Sequence, residues 1–177
     1  MYYVFAKSAD ANTRNYVLQT LQVDASKLVS LLFFKCPEPE RKFGKDAAEY
    51  HKYTLLTRLV YVGIKSMKKL RELIDDDEVF AKAALAKDGW NKNALVSAIR
   101  IPSAEKVQYL FSIDTVRKRC MENNDELHDI LTALNAKWND QVCATLIARL
   151  ALTEEKLNAL KASKDIDITR MLSALNQ

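Results

Sequence analysis

From Lys45 to Ile74 the chain reads KDAAEYHKYTLLTRLVYVGIKSMKKLRELI, and Tyr53, Leu56, Val60, Met67, Leu70 and Ile74 recur at the three-and-four spacing of an amphipathic helix. This stripe predicts one long helix with a core-facing side, and it sets Arg58, Lys65, Lys68 and Lys69 on the opposite side. The same period predicts a helix from Ser8 or Asp10 to about Leu21, with Tyr16, Val17 and Leu21 inward. Asp24 caps a second, whose apolar positions are Leu28, Val29, Leu31 and Leu32.

Further on, the pattern predicts helices from Glu78 to Lys87, from Asn91 or Asn93 to Arg100, and from Ser103 to about Asn123. The last of these turns Val107, Leu110, Phe111, Ile113 and Val116 inward. Four shorter helices follow over Glu126 to Asn135, Trp138 to Leu150, Glu154 to Ala162 and Ile168 to Leu175. Thr153 caps one of them, and Asp165 or Asp167 another.

Prolines and glycines punctuate this series. Pro37 and Pro39 stop the second helix and make CPEPERKFG a rigid connector, and Pro102 breaks the chain again. Gly63 inside the long helix costs about 1 kcal/mol relative to alanine, so the position is read as a bend, a close helix crossing or a tolerated glycine. Gly89 is read as a left-handed helix end. With only three glycines and three prolines in 177 residues, the backbone has few places to turn sharply. The fold class implied is all-α, a multi-helix bundle. Either it forms one continuous core or it divides into two helical subdomains, 1–89 and 90–177.

Charge changes the picture locally more than globally. The net charge is +4, but from Arg41 to Arg71 nine Lys or Arg face only Asp46 and Glu49. The basic side of the long helix is therefore read as a ridge that contacts phosphates without reading bases. The competing reading is an ordinary solvated face. Asymmetry favours the ridge, because a solvated face alternates signs and the acids here are displaced to Glu72–Glu78. Arg117, Lys118 and Arg119 form a second basic cluster, although cations near a helix end also suit the helix dipole and adjacency spreads them around the helix.

Candidate chemistry is sparse. Cys36, Cys120 and Cys143 are odd in number and widely spaced, which predicts reduced thiols and no structural disulfide; Cys143 reads as a small buried hydrophobe. His51 and His128 have no ligand partner at metal spacing. His51 beside Lys52 is read as a packed or surface residue, with a phosphate-facing role as the alternative. His128 stands near Asp125, Glu126 and Asp129, of which only Asp125 is expected within reach. The DDDE run at Asp75–Glu78 suits a helix N-terminus better than a hard cation, since the glycine of a calcium loop is missing. Trp90, Trp138 and the tyrosines are read as core or interface, ahead of base stacking.

These absences predict no cofactor, no metal and no enzyme. MYYVFA at the start lacks a basic leader and is cut off by Lys7, Ser8 and Asp10, and no apolar run reaches a membrane span. A cytoplasmic, membrane-free protein is the expectation.

The length, the near-continuous helical pattern from Ser8 to Gln177, the scarcity of glycine, and the basic helix carrying Arg58, Lys65, Lys68 and Lys69 together resemble the small all-helical RNA silencing suppressors of closteroviruses. That resemblance implies a ring-shaped homo-oligomer, an octamer, binding duplex and small RNA without sequence preference and so blocking host RNA silencing. A ring also suits the physics, because symmetry repeats a modest basic surface around an axis. Tyr2, Tyr3, Val4 and Phe5 are then an arm that docks on a neighbouring subunit. The rival expectation is a helical protein–protein scaffold or adaptor whose basic helix is merely solvated.

Overall fold

A computed structural model describes residues 54–74, 76–164 and 166–176. The helices expected before Thr54, His51, Cys36 and the apolar start all lie outside the described residues. Among the described residues every regular element is an α-helix, and there is no strand. The chain divides between Ala94 and Leu95 into two compact units.

In the first unit the long amphipathic segment does not form one helix. Thr54, with an extended backbone (φ −70°, ψ 161°) and a side chain accepting from the Thr57 N–H, caps helix α1, Leu55–Val62. An interruption at Gly63 separates α1 from α2, Ile64–Leu73. Gly63 has φ 148° and ψ 162°, a region that side chains with a Cβ hardly enter. Its N–H closes α1 on the Leu59 carbonyl at 2.9 Å, and its own carbonyl accepts from Ser66 and Met67 to open α2. A Cβ built there meets nothing within 4 Å. Of the readings offered by the sequence, the bend is the one that forms, and backbone conformation, not a close helix crossing, requires the glycine.

The apolar stripe survives the break. Leu55, Leu56, Leu59 and Val60 of α1 are buried with Met67, Leu70 and Ile74, and α1 packs on α2 and on α3, Asp77–Leu85. The corner into α3 is tied twice. Asp76 accepts from the Glu78 and Val79 N–H groups at 2.8 and 3.1 Å, and Arg71 donates to the Ile74 carbonyl and to Asp77. Within the acidic run Asp76 is thus a helix cap and Asp77 an ion-pair partner. After α3 the left-handed residue is Asn91 (φ 58°), not Gly89. Asp88 organises this loop: its buried carboxylate accepts from the Trp90 and Lys92 N–H groups, which leaves the turn residue to Asn91, a type that tolerates this conformation.

Helix α4, Ala94–Arg100, runs across the division between the units. In the second unit, the helix expected from Ser103 to Asn123 is two, α5, Ala104–Phe111, and α6, Asp114–Glu122. Ser112 stops the first by donating its hydroxyl to the Tyr109 carbonyl at 2.7 Å, and Ile113 turns extended. The residues expected inward, Val107, Leu110, Phe111, Ile113 and Val116, are all buried. Asn123 caps α7, Asn124–Ala136; Asn139 caps α8, Asp140–Leu150; Thr153 caps α9, Glu154–Ser163. Asp167 accepts from the Thr169 N–H at 2.9 Å as α10, Thr169–Leu175, begins. Helix α8 is the hub of this unit, packing on α5, α6 and α10.

Two substitutions check this description. Gly63→Ala is expected to destabilise the protein by about 1–3 kcal/mol, since it forces a Cβ into a glycine conformation, despite the open space around it. Asn139→Ala, which removes the acceptor for the Val142 N–H, is expected to cost about 1 kcal/mol. Chemical denaturation at neutral pH measures both.

Candidate nucleic-acid interface

Burial on one side of α2 fixes what the other side shows. Met67 and Leu70 are at most 1% exposed. At 100° per residue, the arc opposite them carries Lys65, Lys68, Lys69 and Glu72, all four exposed. The three lysines therefore share one face. Glu72 stands within the same arc and meets the Lys69 ammonium at 2.9 Å. The acid that the sequence places beyond the ridge folds back onto it by i,i+3 geometry, so the face carries three cations and one anion. Both partners of that pair are largely solvated, so the pair holds little energy and leaves Lys69 able to exchange partners.

Arg58 is not part of this face. It lies on α1, before the Gly63 break, half-buried with its Nε enclosed. The break that sets α1 and α2 apart separates residues that one continuous helix would have aligned.

Arg117, Lys118 and Arg119 belong to the other unit, on α6. Val116 and Cys120 point inward there, so Lys118 emerges directly opposite them and the two arginines emerge on opposite flanks. Lys118 is exposed, whereas both arginines are half-buried. Arg117 meets Asp114 at 2.9 Å and Lys118 lies 3.9 Å from Glu122. The three cations do not converge on one point.

The remaining chemistry is structural. His128 Nδ1 lies 3.7 Å from Asp129, while Asp125, the neighbour expected within reach, meets Lys164 at 2.7 Å. The Asp125 carboxylate thus reaches the residue that ends α9. Among the described residues no group of three or more His, Cys, Asp or Glu is arranged to hold a metal, and no helix is long and apolar enough to cross a membrane. Cys120 and Cys143 are both buried and free. Burial, reinforced by Glu126, pushes the Cys120 thiol up from 9.0 to about 12. Burial, with Asp140 adding to it, also raises Cys143.

One arrangement has no signal in the sequence. The Arg170 guanidinium lies over the Trp138 ring, 4.3 Å from its centre, although the two residues are far apart in the chain. Trp138 also donates its indole N–H to Asp140 at 2.8 Å. Only the packing of α10 on α8 brings them together.

The Cys120 shift has a definite sign. The native state keeps a proton that the unfolded chain releases, so stability from this group is intact below pH 9 and declines as pH rises toward 12. Denaturation between pH 9 and 11 is expected to show a decline in unfolding free energy that is shallower in Cys120→Ala, by up to about 1.4 kcal/mol per pH unit.

Comparison with known proteins finds no match to this chain among protein families, curated proteins or solved structures.

Proposed function

We propose that the protein is a non-enzymatic, sequence-independent RNA-binding protein that sequesters duplex RNA through its phosphate backbone, as the closterovirus silencing suppressors it resembles do. The observation carrying this reading is the exposed face of α2, where Lys65, Lys68 and Lys69 stand together on a helix held by Met67 and Leu70. Ammonium groups on a rigid element neutralise neighbouring phosphates without selecting bases, and the helix rise of 1.5 Å per residue keeps them within reach of one strand. Arg117, Lys118 and Arg119 are assigned a secondary role in the same binding, with Lys118 as the most accessible. Arg58 contributes charge from beneath the surface and no direct contact. A single subunit offers few phosphate contacts, so the proposal includes a ring-shaped homo-oligomer that repeats the face around an axis.

A protein–protein scaffold is the second reading. Glu72 within the lysine face, and the carboxylates beside Arg117 and Lys118, favour it, since mixed charge is what a solvated helix surface carries.

Salt dependence separates the two. Duplex RNA affinity is expected to fall steeply with salt, and Lys65→Gln, Lys68→Gln and Lys69→Gln are each expected to flatten the log–log slope by about one unit. Unchanged affinity and slope in the triple variant removes the ridge from the mechanism. Glu72→Gln is expected to act in the opposite direction, tightening binding at low salt, as a fluorescence-anisotropy titration measures. Light scattering of the intact chain is expected to give a mass that is a closed multiple of the subunit, and a monomer at working concentration would contradict the ring.

A further inference from the structure

The groove between α8 and α10 sets a cation beside an open cavity of mixed polar and apolar lining. Its volume is about 440 Å³, within the roughly 300–1,000 Å³ that small-molecule sites occupy. Ala144 and Ile147 of α8 and Ala174 of α10 line it, and the short alanine side chains leave the space open. Trp138 and Arg170 line it as well, and Thr169 and Ser173 contribute hydroxyls. The arginine lies over the indole at 4.3 Å.

A guanidinium resting over an indole keeps its N–H donors, which lie in its own plane, and such a fork meets a carboxylate or phosphate with two parallel hydrogen bonds. Among the described residues Arg170 forms no close ion pair, unlike Lys69, Arg71, Arg117, Lys118 and Lys164, although the exposed Asp167 carboxyl is held below the usual range by its bonds with Thr169 and, after them, by charges that include Arg170. Asp140 also lines the groove, its carboxylate accepting from the Trp138 indole N–H, so an anion is placed at the Arg170 end and not beside it. Cys143 lines the groove, but burial keeps its thiol protonated, so the site suits binding and not covalent attack.

We propose that this groove binds a small aromatic anion, its ring against the alanine-lined wall beside Trp138 and its charged group on the Arg170 guanidinium. An aromatic carboxylate and a mononucleotide share that chemistry. The site is independent of the lysine face on α2, and its failure would leave the RNA reading untouched.

The test titrates the full-length chain with 2-naphthoate, with AMP, and with 2-naphthalenemethanol as the neutral counterpart. Calorimetry gives affinity, and nitrogen-15 NMR follows the indole N–H resonances of Trp90 and Trp138. The expected result is saturable binding of at least one anion, with the Trp138 resonance shifting and that of Trp90 unmoved. Naphthoate alone identifies a carboxylate site; AMP alone or with it identifies one that accepts phosphate. The alcohol is expected to bind at least tenfold more weakly than the better anion. Arg170→Ala and, by filling the groove without changing charge, Ala144→Leu are each expected to weaken binding at least tenfold, with native melting checked for both. The proposal is overturned if neither anion shifts the Trp138 resonance saturably. It is equally overturned if the alcohol binds as tightly as the anions, or if a natively folded variant keeps the parent affinity.

Discussion

Burying Met67 and Leu70 on the side of α2 that packs on α1 leaves the helix no choice about where its lysines go. A helix turns 100° per residue, so positions 65, 68 and 69 must face away from positions 67 and 70 once the apolar pair is inside. Complete burial of a leucine or methionine side chain is worth about 1.5–3 kcal/mol, more than the mutual repulsion of a few solvated ammonium groups costs in water. The hydrophobic effect thus assembles a cationic surface that electrostatics alone would disperse. Gly63 serves the same end by letting α1 and α2 each present a buried stripe to a common core.

Against this stands the local pairing of opposite charges. Glu72 sits one turn from Lys69, Asp114 one turn from Arg117, and Glu122 one turn from Lys118. Such exposed pairs contribute little to stability and are screened by salt. A phosphate backbone competes with them on favourable terms, because it offers a row of fixed anions where each pair offers a single carboxylate. The lysine face of α2 is the better placed of the two clusters, as its three cations share an arc, whereas those of α6 diverge around a helix.

Much of the helical character was legible from apolar periodicity: Leu56, Val60, Met67, Leu70 and Ile74 are buried, as are Val107, Leu110, Phe111, Ile113 and Val116. Side-chain capping was also legible where the residue chemistry is distinctive, as at Thr153. Helix continuity was not, since an unbroken hydrophobic period persists across Gly63 and Ser112 while the backbone does not. The period reports which side is buried; local hydrogen bonding to a hydroxyl, or a glycine-only conformation, decides where a helix ends. The same blindness carried into the site, since aligning Arg58 with the lysines required a continuous helix. The left-handed residue fell on Asn91 instead of Gly89 because the buried Asp88 carboxylate accepts from the Trp90 and Lys92 N–H groups and so sets the course of that loop, a local Asx-type turn that a reading centred on glycine passes over. The contact of Arg170 with Trp138 has no local signature, because it arises from two helices packing.

The central claim is that a polyanion lies across the exposed lysines of α2. Lysine acetylation read by mass spectrometry, with and without a saturating short RNA duplex, tests it most directly. The account predicts that Lys65, Lys68 and Lys69 are modified readily in the free protein and protected by the duplex, while Lys156 and Lys161 on α9 are modified alike in both. Equal modification of the three α2 lysines in the presence of a duplex shown to be bound would contradict it.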